Sequence, residues 1–180
     1  LEILFLKGSH GDTLPANISK VEDTQLGCEL FRSGIPQLHH LDYLKALGIE
    51  RIISLMGCPT ILEIEIQKKG FHHLNINPGL RHITPEKIEA VIDTLRQNTR
   101  ATLLHCMAGS DRSGIVIAAL RAQQGWGLAR IREEMFQHIH ITWPKYRYFF
   151  DRLLPHFLDA QLANSSSTDS CAGADGGLHR

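Results

Sequence analysis

Ala101-Thr102-Leu103-Leu104-His105-Cys106-Met107-Ala108-Gly109-Ser110-Asp111-Arg112-Ser113-Gly114-Ile115-Val116-Ile117-Ala118-Ala119-Leu120 reads as three pieces. An apolar run with strand character ends at His105. A polar turn containing Gly109 follows. A second apolar run from Ile115 suits a helix. A strand feeding a tight loop that opens a helix gathers backbone N–H groups and a helix N-terminus around one point, the geometry of an anion cradle. Cys106 at its mouth makes that anion site a nucleophilic one.

Each residue type in the turn has a chemical use. Met107, Ala108, Gly109, Ser110, Asp111 and Arg112 form the segment whose backbone surrounds the anion, and Gly109 stands where the chain must turn sharply and a side chain is expected to block the anion. Arg112 offers a planar fork to two oxygens at once, which lysine cannot. The same positive field favours the thiolate, the attacking form of Cys106. Ser113 is placed to donate a hydrogen bond to the sulfur and help it leave a phosphocysteine. His105 is expected to brace the loop through backbone carbonyls, as a structural residue rather than a base.

Outward from this stretch, strand and helix patterns alternate. Leu30–Ser33, Arg51–Met56, Phe71–Ile76 and Ala101–His105 read as strands. Apolar residues at 38, 41, 44 and 47 predict a helix closed by Gly48, and residues 60–69 predict another ending at Gly70. Thr84 is the expected N-cap of a helix running to about Gln97, with Pro85 at its first position. Ser113–Gln124, Leu128–His138 and Trp143–Leu158 make the C-terminal half helical. The fold class is therefore α/β: a mainly parallel sheet of about four or five strands flanked by helices, with an all-helical C-terminal half. Ligands bind such sheets beyond the carboxyl ends of the strands, where Cys106 stands.

The loop resembles the Cys-(five residues)-Arg signature of the protein tyrosine phosphatase superfamily. The chain is similar to its small dual-specificity branch, bacterial and atypical members in particular. Leu14-Pro15-Ala16-Asn17 and Leu30-Phe31-Arg32-Ser33-Gly34-Ile35-Pro36 resemble that branch's opening segment. Leu44–Leu55, Gln124-Gly125-Trp126 and Arg132–Met135 match its later elements in order. The resemblance implies a metal-independent phosphatase needing no cofactor, in which Cys106 attacks phosphorus and Arg112 holds the equatorial oxygens. It also implies an aspartate acid on an upstream loop, yet no aspartate lies between Phe71 and Ile92. By analogy with broad-specificity members, Asp111 is the first candidate for general acid. Its alternative is a salt-bridging role; His82 is the second candidate acid and Glu86 the third. Trp143-Pro144 lies after the cysteine and is expected to open the last helix, with Thr142 near the cap.

The expected substrate is a phosphorylated protein or peptide, phosphotyrosine first and phosphoserine or phosphothreonine beside it. A phosphoinositide or inositol phosphate is the alternative. Against it, Met107, Ala108, Ser110 and Asp111 are neutral or acidic where polyphosphates favour cations; Arg81 and His82 partly compensate. A weakly catalytic phosphoprotein-binding module is the third reading.

Composition bounds the rest. The chain has 180 residues, 19 basic and 19 acidic side chains and no net charge. No basic tract suggests nucleic acid, and no apolar run suggests a membrane span. Cys28, Cys58, Cys106 and Cys171 show neither zinc nor disulfide-framework spacing, although a reversible Cys58–Cys106 disulfide is conceivable. His39-His40, His72-His73 and His138-x-His140 lack metal-site context. Residues 1–12 read as a linker or trimmed segment, 13–162 as the catalytic domain, and 163–180 as a flexible tail. A reactive thiol suits the cytoplasm, with a periplasmic or secreted setting as the alternative.

Overall fold

The computed structural model describes residues 14–78, 83–138 and 147–159. Five strands form one sheet: β1 (Ser19–Val21), β2 (Leu30–Ser33), β3 (Arg51–Ser54), β4 (His72–Asn75) and β5 (Thr102–His105). Their spatial order is β1-β2-β5-β3-β4, and β1 alone runs antiparallel to its neighbour. The helices are α1 (Leu41–Ala46), α2 (Thr60–Lys68), α3 (Pro85–Arg96), α4 (Asp111–Gln123) and α5 (Leu128–Phe136). A π-helical turn, Phe149–Leu153, interrupts the last helical segment. The α/β class and the mainly parallel sheet are as the alternation of patterns predicts.

Successive strand residues face opposite sides of the sheet, and the core divides accordingly. Leu30, Ile53 and Leu104 join α3, α4, α5 and the last helical segment in one cluster. Phe31, Ile52 and Leu103 pack with Leu41, Leu44, Leu62 and Ile66 from α1 and α2 in the other. Burial on both faces explains why these strands read as continuous apolar runs. Helix α4 is buried from Ser113 to Ala122, so the helix that follows the cysteine loop is itself core.

Some local expectations need correction. β1 carries no recognisable strand pattern; three residues are too few for one, and it forms by pairing Ser19–Val21 with the free edge of β2. The helix expected from Leu38 begins as a 3-10 turn, Leu38–His40, before α1. Thr84 occupies the N-cap position but its side chain caps no backbone N–H; it bonds the Glu86 carboxylate instead. Thr142, Trp143 and Pro144 lie outside the described residues.

Candidate active site

The carboxyl ends of β2, β5 and β3 are in register: Ser33 pairs with His105, and His105 pairs with Ser54. β5 is the central strand of the sheet, so the loop leaving it emerges between two neighbours. Residues 106–110 bridge from that edge to the first turn of α4.

The loop is held from outside, carbonyl by carbonyl. The Ile35 N–H donates to the Met107 carbonyl at 3.1 Å. Asn17 Nδ2 donates to the Ala108 carbonyl at 2.7 Å. Buried Arg32 donates to the Gly109 carbonyl from Nε at 3.0 Å and from Nη2 at 2.6 Å, and reaches the Ser110 carbonyl at 3.4 Å. Among the described residues, no backbone acceptor takes the N–H of Met107, Ala108, Gly109 or Ser110. Carbonyls drawn outward leave N–H groups facing the concavity, since the two point opposite ways across a trans peptide.

Gly109 makes the sharp turn expected of it, but what excludes a side chain there is not the anion. Its φ is +73°, a conformation that suits glycine, and a Cβ there lies 2.5 Å from Gly34 N and Ser33 C. The side chain is excluded by the end of β2 beneath the loop, not by an anion above it.

Cys106 is 2 % exposed, and its N–H is committed to the Ser33 carbonyl at 3.4 Å. Its Sγ lies 3.5 Å from Ser113 Oγ, on the first turn of α4. The structure thus brings Cys106 and Ser113 together as the spacing predicts. Ser110 Oγ and Arg112 Nε are buried and have no hydrogen-bond partner among the described residues. Asp111 is half-buried at the first position of α4, and Met107 is exposed on the rim.

His105 is fully buried, and burial above all holds it neutral, down to about 4. Its Nε2 lies 2.7 Å from Ser54 Oγ on β3, and interaction with the Cys106 backbone works against the burial. His138, near Arg32, is likewise pushed down to about 4, mainly by burial and then by the Arg32 charge. Of the other candidate acids, His82 lies outside the described residues, as does Arg81. Glu86 is exposed, and the Thr84 hydrogen bond, followed by its own backbone, holds its carboxyl below the usual range. Cys58 is a free thiol raised first by burial; it packs against the α1–α2 cluster, whereas Cys106 belongs to the α3–α4 cluster. Among the described residues no group of three or more His, Cys, Asp or Glu side chains is placed to hold a metal.

Two supporting residues escaped the sequence reading. Arg32 stood out only as part of the opening segment; its signal is a lone charge inside a strand whose neighbours are all core. Asn17 has φ +54°, and nothing local marks it as a loop clamp.

Residues 13–170 match the model of the tyrosine phosphatase family. Inositol diphosphatase DSP3 of Arabidopsis thaliana is 29% identical over 144 residues, which span 74% of this chain and 68% of that protein. The core catalytic domain of the PP-IP phosphatase SIW14 from S. cerevisiae superposes with a TM-score of 0.67 at 17% identity, covering 87% of this chain and 94% of that one. A cysteine-to-serine variant of P. aeruginosa TpbA in complex with phosphotyrosine superposes with a TM-score of 0.61 at 18% identity, covering 82% and 97%. These structures share the fold. The described residues contain no helix long and apolar enough to cross a membrane. Its matched residues and the cysteine loop they contain make this chain a member of the tyrosine phosphatase family, a cysteine-dependent phosphatase by class.

Proposed function

We propose that the protein hydrolyses phosphate monoesters on proteins, phosphotyrosine foremost, with Cys106 as nucleophile. The observation that carries this is the loop itself: four successive carbonyls tied outward around a buried cysteine at the N-terminus of α4. A tetrahedral oxyanion takes donors, and the loop supplies N–H groups, the Ser110 hydroxyl and the Arg112 guanidinium. In the first step the Cys106 thiolate forms an S–P bond as the ester P–O bond breaks, and the leaving oxygen takes a proton from Asp111. In the second, water gives a proton to the Asp111 carboxylate as it forms a P–O bond, the S–P bond breaks to restore the thiolate, and inorganic phosphate leaves. Ser113 donates to the departing thiolate from 3.5 Å. Each transition state flattens the phosphoryl group and spreads its charge over three equatorial oxygens, so donors fixed for that geometry act most strongly there. Glu86, with its carboxyl held ionised, is the poorer acid, which supports Asp111.

The names of DSP3 and SIW14 favour a second reading, an inositol phosphate substrate. Met107, Ala108, Ser110 and Asp111 weigh against it, because the loop then offers Arg112 as its single cation. The deciding experiment compares kcat/KM for a phosphotyrosine peptide, a phosphoserine peptide and a diphosphoinositol polyphosphate, with Cys106→Ser as control. The proposal expects the phosphotyrosine peptide to lead by at least about tenfold, one unit of 1.4 kcal/mol in transition-state binding. Preference for the inositol substrate overturns the protein reading. Peptide binding without turnover in the unmodified enzyme makes it a binding module.

A further inference from the structure

The two flanks of the nucleophile loop differ in kind. Residues 14–19, 33–38 and 106–110 contain no charged side chain. Three hydrogen bonds join these segments: Gly34 N–H to the Ala16 carbonyl at 2.6 Å, Ile35 N–H to the Met107 carbonyl at 3.1 Å, and Asn17 Nδ2 to the Ala108 carbonyl at 2.7 Å. The junction is close, since a Cβ added at Gly34 would lie 3.1 Å from Met107 O and 3.3 Å from Ala16 Cβ. Together they make an uncharged wall on the β2 side of Cys106. The β3 side is polar and ionisable instead: His73 Nε2 lies 2.8 Å from Ser54 Oγ, and His73 Nδ1 lies 3.6 Å from Glu63 Oε1.

The wall carries apolar surface. Met107, beside a nucleophile that is 2 % exposed, is itself 62 % exposed, and Leu38 is 45 % exposed. Ala16 is exposed as well. Leu38 stands three residues after Ile35, so its backbone lies within about 11 Å of the N–H that holds Met107. A single exposed apolar residue on a protein surface is ordinary. These differ because their backbone is bonded to the loop that holds the phosphate. An ester seated at Cys106 carries its remaining atoms out over the rim, and on this side the rim offers carbon and no charge. An extended peptide places the residues one and two from its phosphotyrosine about 4 and 7 Å away, within the span of the wall.

We propose that this wall receives an apolar side chain of the substrate, one or two residues from the phosphotyrosine, with Leu38 and Met107 as the contacts that set this preference. The role rests on the phosphotyrosine reading of the site. A peptide suits the wall better than a bilayer does. A membrane-facing rim gains from lysine and arginine against anionic headgroups, and these segments have neither. A polar or acidic side chain laid on the wall loses water and finds no charge to replace it. Methionine suits the contact, because its unbranched thioether adapts to aliphatic and aromatic partners alike. Partial burial of a leucine-sized side chain there should raise kcat/KM by about tenfold.

The test compares kcat/KM for two phosphotyrosine peptides that differ only in carrying leucine or glutamine at the positions flanking the phosphotyrosine. The wild type should prefer the leucine peptide by about tenfold. Leu38→Ser and Met107→Ser should each cut that preference to about threefold or less, and Leu38→Met should keep it. The ratio of the two peptides cancels any general damage to the loop. Leu128→Ser should leave both rates unchanged: Leu128 is 37 % exposed at the start of α5, past the far end of the 13-residue α4 and roughly 20 Å from the loop. Equal turnover of the two peptides by the wild type overturns the proposal, as does a full preference in the Leu38→Ser, Met107→Ser double variant. So does faster turnover of a phospholipid phosphate monoester in phosphatidylcholine vesicles than of either peptide, which gives the wall to a lipid. A wild type that hydrolyses neither peptide refutes the phosphotyrosine reading itself, and the role of the wall with it.

Discussion

Replacing Gly109 by alanine tests the packing of the nucleophile loop with a single methyl group. The new Cβ would sit 2.5 Å from Gly34 N and Ser33 C and 2.8 Å from Ser33 O, about 0.9 Å inside the ordinary contact that begins at 3.4 Å. These are backbone atoms at the end of β2, and the Gly34 N–H is tied to the Ala16 carbonyl at 2.6 Å, so no side chain can swing aside. The left-handed backbone adds about 1–2 kcal/mol for any residue with a Cβ. Relieving the overlap adds about 1–3 kcal/mol more. A total near 3 kcal/mol lowers the melting temperature by about 6–12 °C in a chain of this size. The loop must move by close to an ångström, which costs about 100-fold in kcat when it carries the reacting groups. The assay is thermal unfolding together with kcat on p-nitrophenyl phosphate. Gly57→Ala serves as control, because nothing lies within 4 Å of its added Cβ. A Gly109→Ala enzyme that melts within 2 °C of wild type and keeps kcat within about threefold refutes the reasoning.

Three further outcomes follow from the same geometry. Arg32→Met leaves the buried Gly109 and Ser110 carbonyls without their guanidinium donor; unfolding in urea should show a loss of about 2–4 kcal/mol, and kcat should fall more than KM rises. Asp111→Asn should reduce turnover of a phosphotyrosine peptide far more than that of p-nitrophenyl phosphate, whose leaving group needs little protonation; equal losses point to a purely structural Asp111. His105 and His138 are each held at about 4, below the unfolded value of 6.5, so the unfolded chain binds more protons between those pH values. Stability should therefore be full above pH 6.5 and fall as pH drops toward 4, with His105 contributing up to about 3 kcal/mol. Urea midpoints at pH 7 and pH 4.5 measure this, and a flat profile contradicts the burial argument.

The nucleophile loop and the sheet were legible because their signals are local. Strand, turn and helix follow one another without interruption from Ala101 to Leu120, and the alternation of Leu103 and Leu104 between two cores needs no distant partner to be read. What escaped depends on contacts across the chain. Arg32 acquires its role from carbonyls 77 and 78 residues away, and Asn17 from one 91 residues away. Ser54, His73 and His105 meet only because β3 lies between β4 and β5. Gly109 was recognised as indispensable from the turn, but the atoms that exclude its side chain belong to β2. Thr84 had the right residue type for a cap, and its side chain is taken by Glu86.

The central claim is that phosphate passes through a covalent bond to Cys106. The direct measurement is acid quenching of a single turnover with a phosphotyrosine peptide, followed by mass spectrometry of the intact protein and of the peptide containing Cys106. The account predicts a gain of one phosphoryl group on that peptide, stable in acid, accumulating further in Ser113→Ala and absent from Cys106→Ser. Full turnover with no phosphoryl group on Cys106 in either the wild type or Ser113→Ala would contradict it.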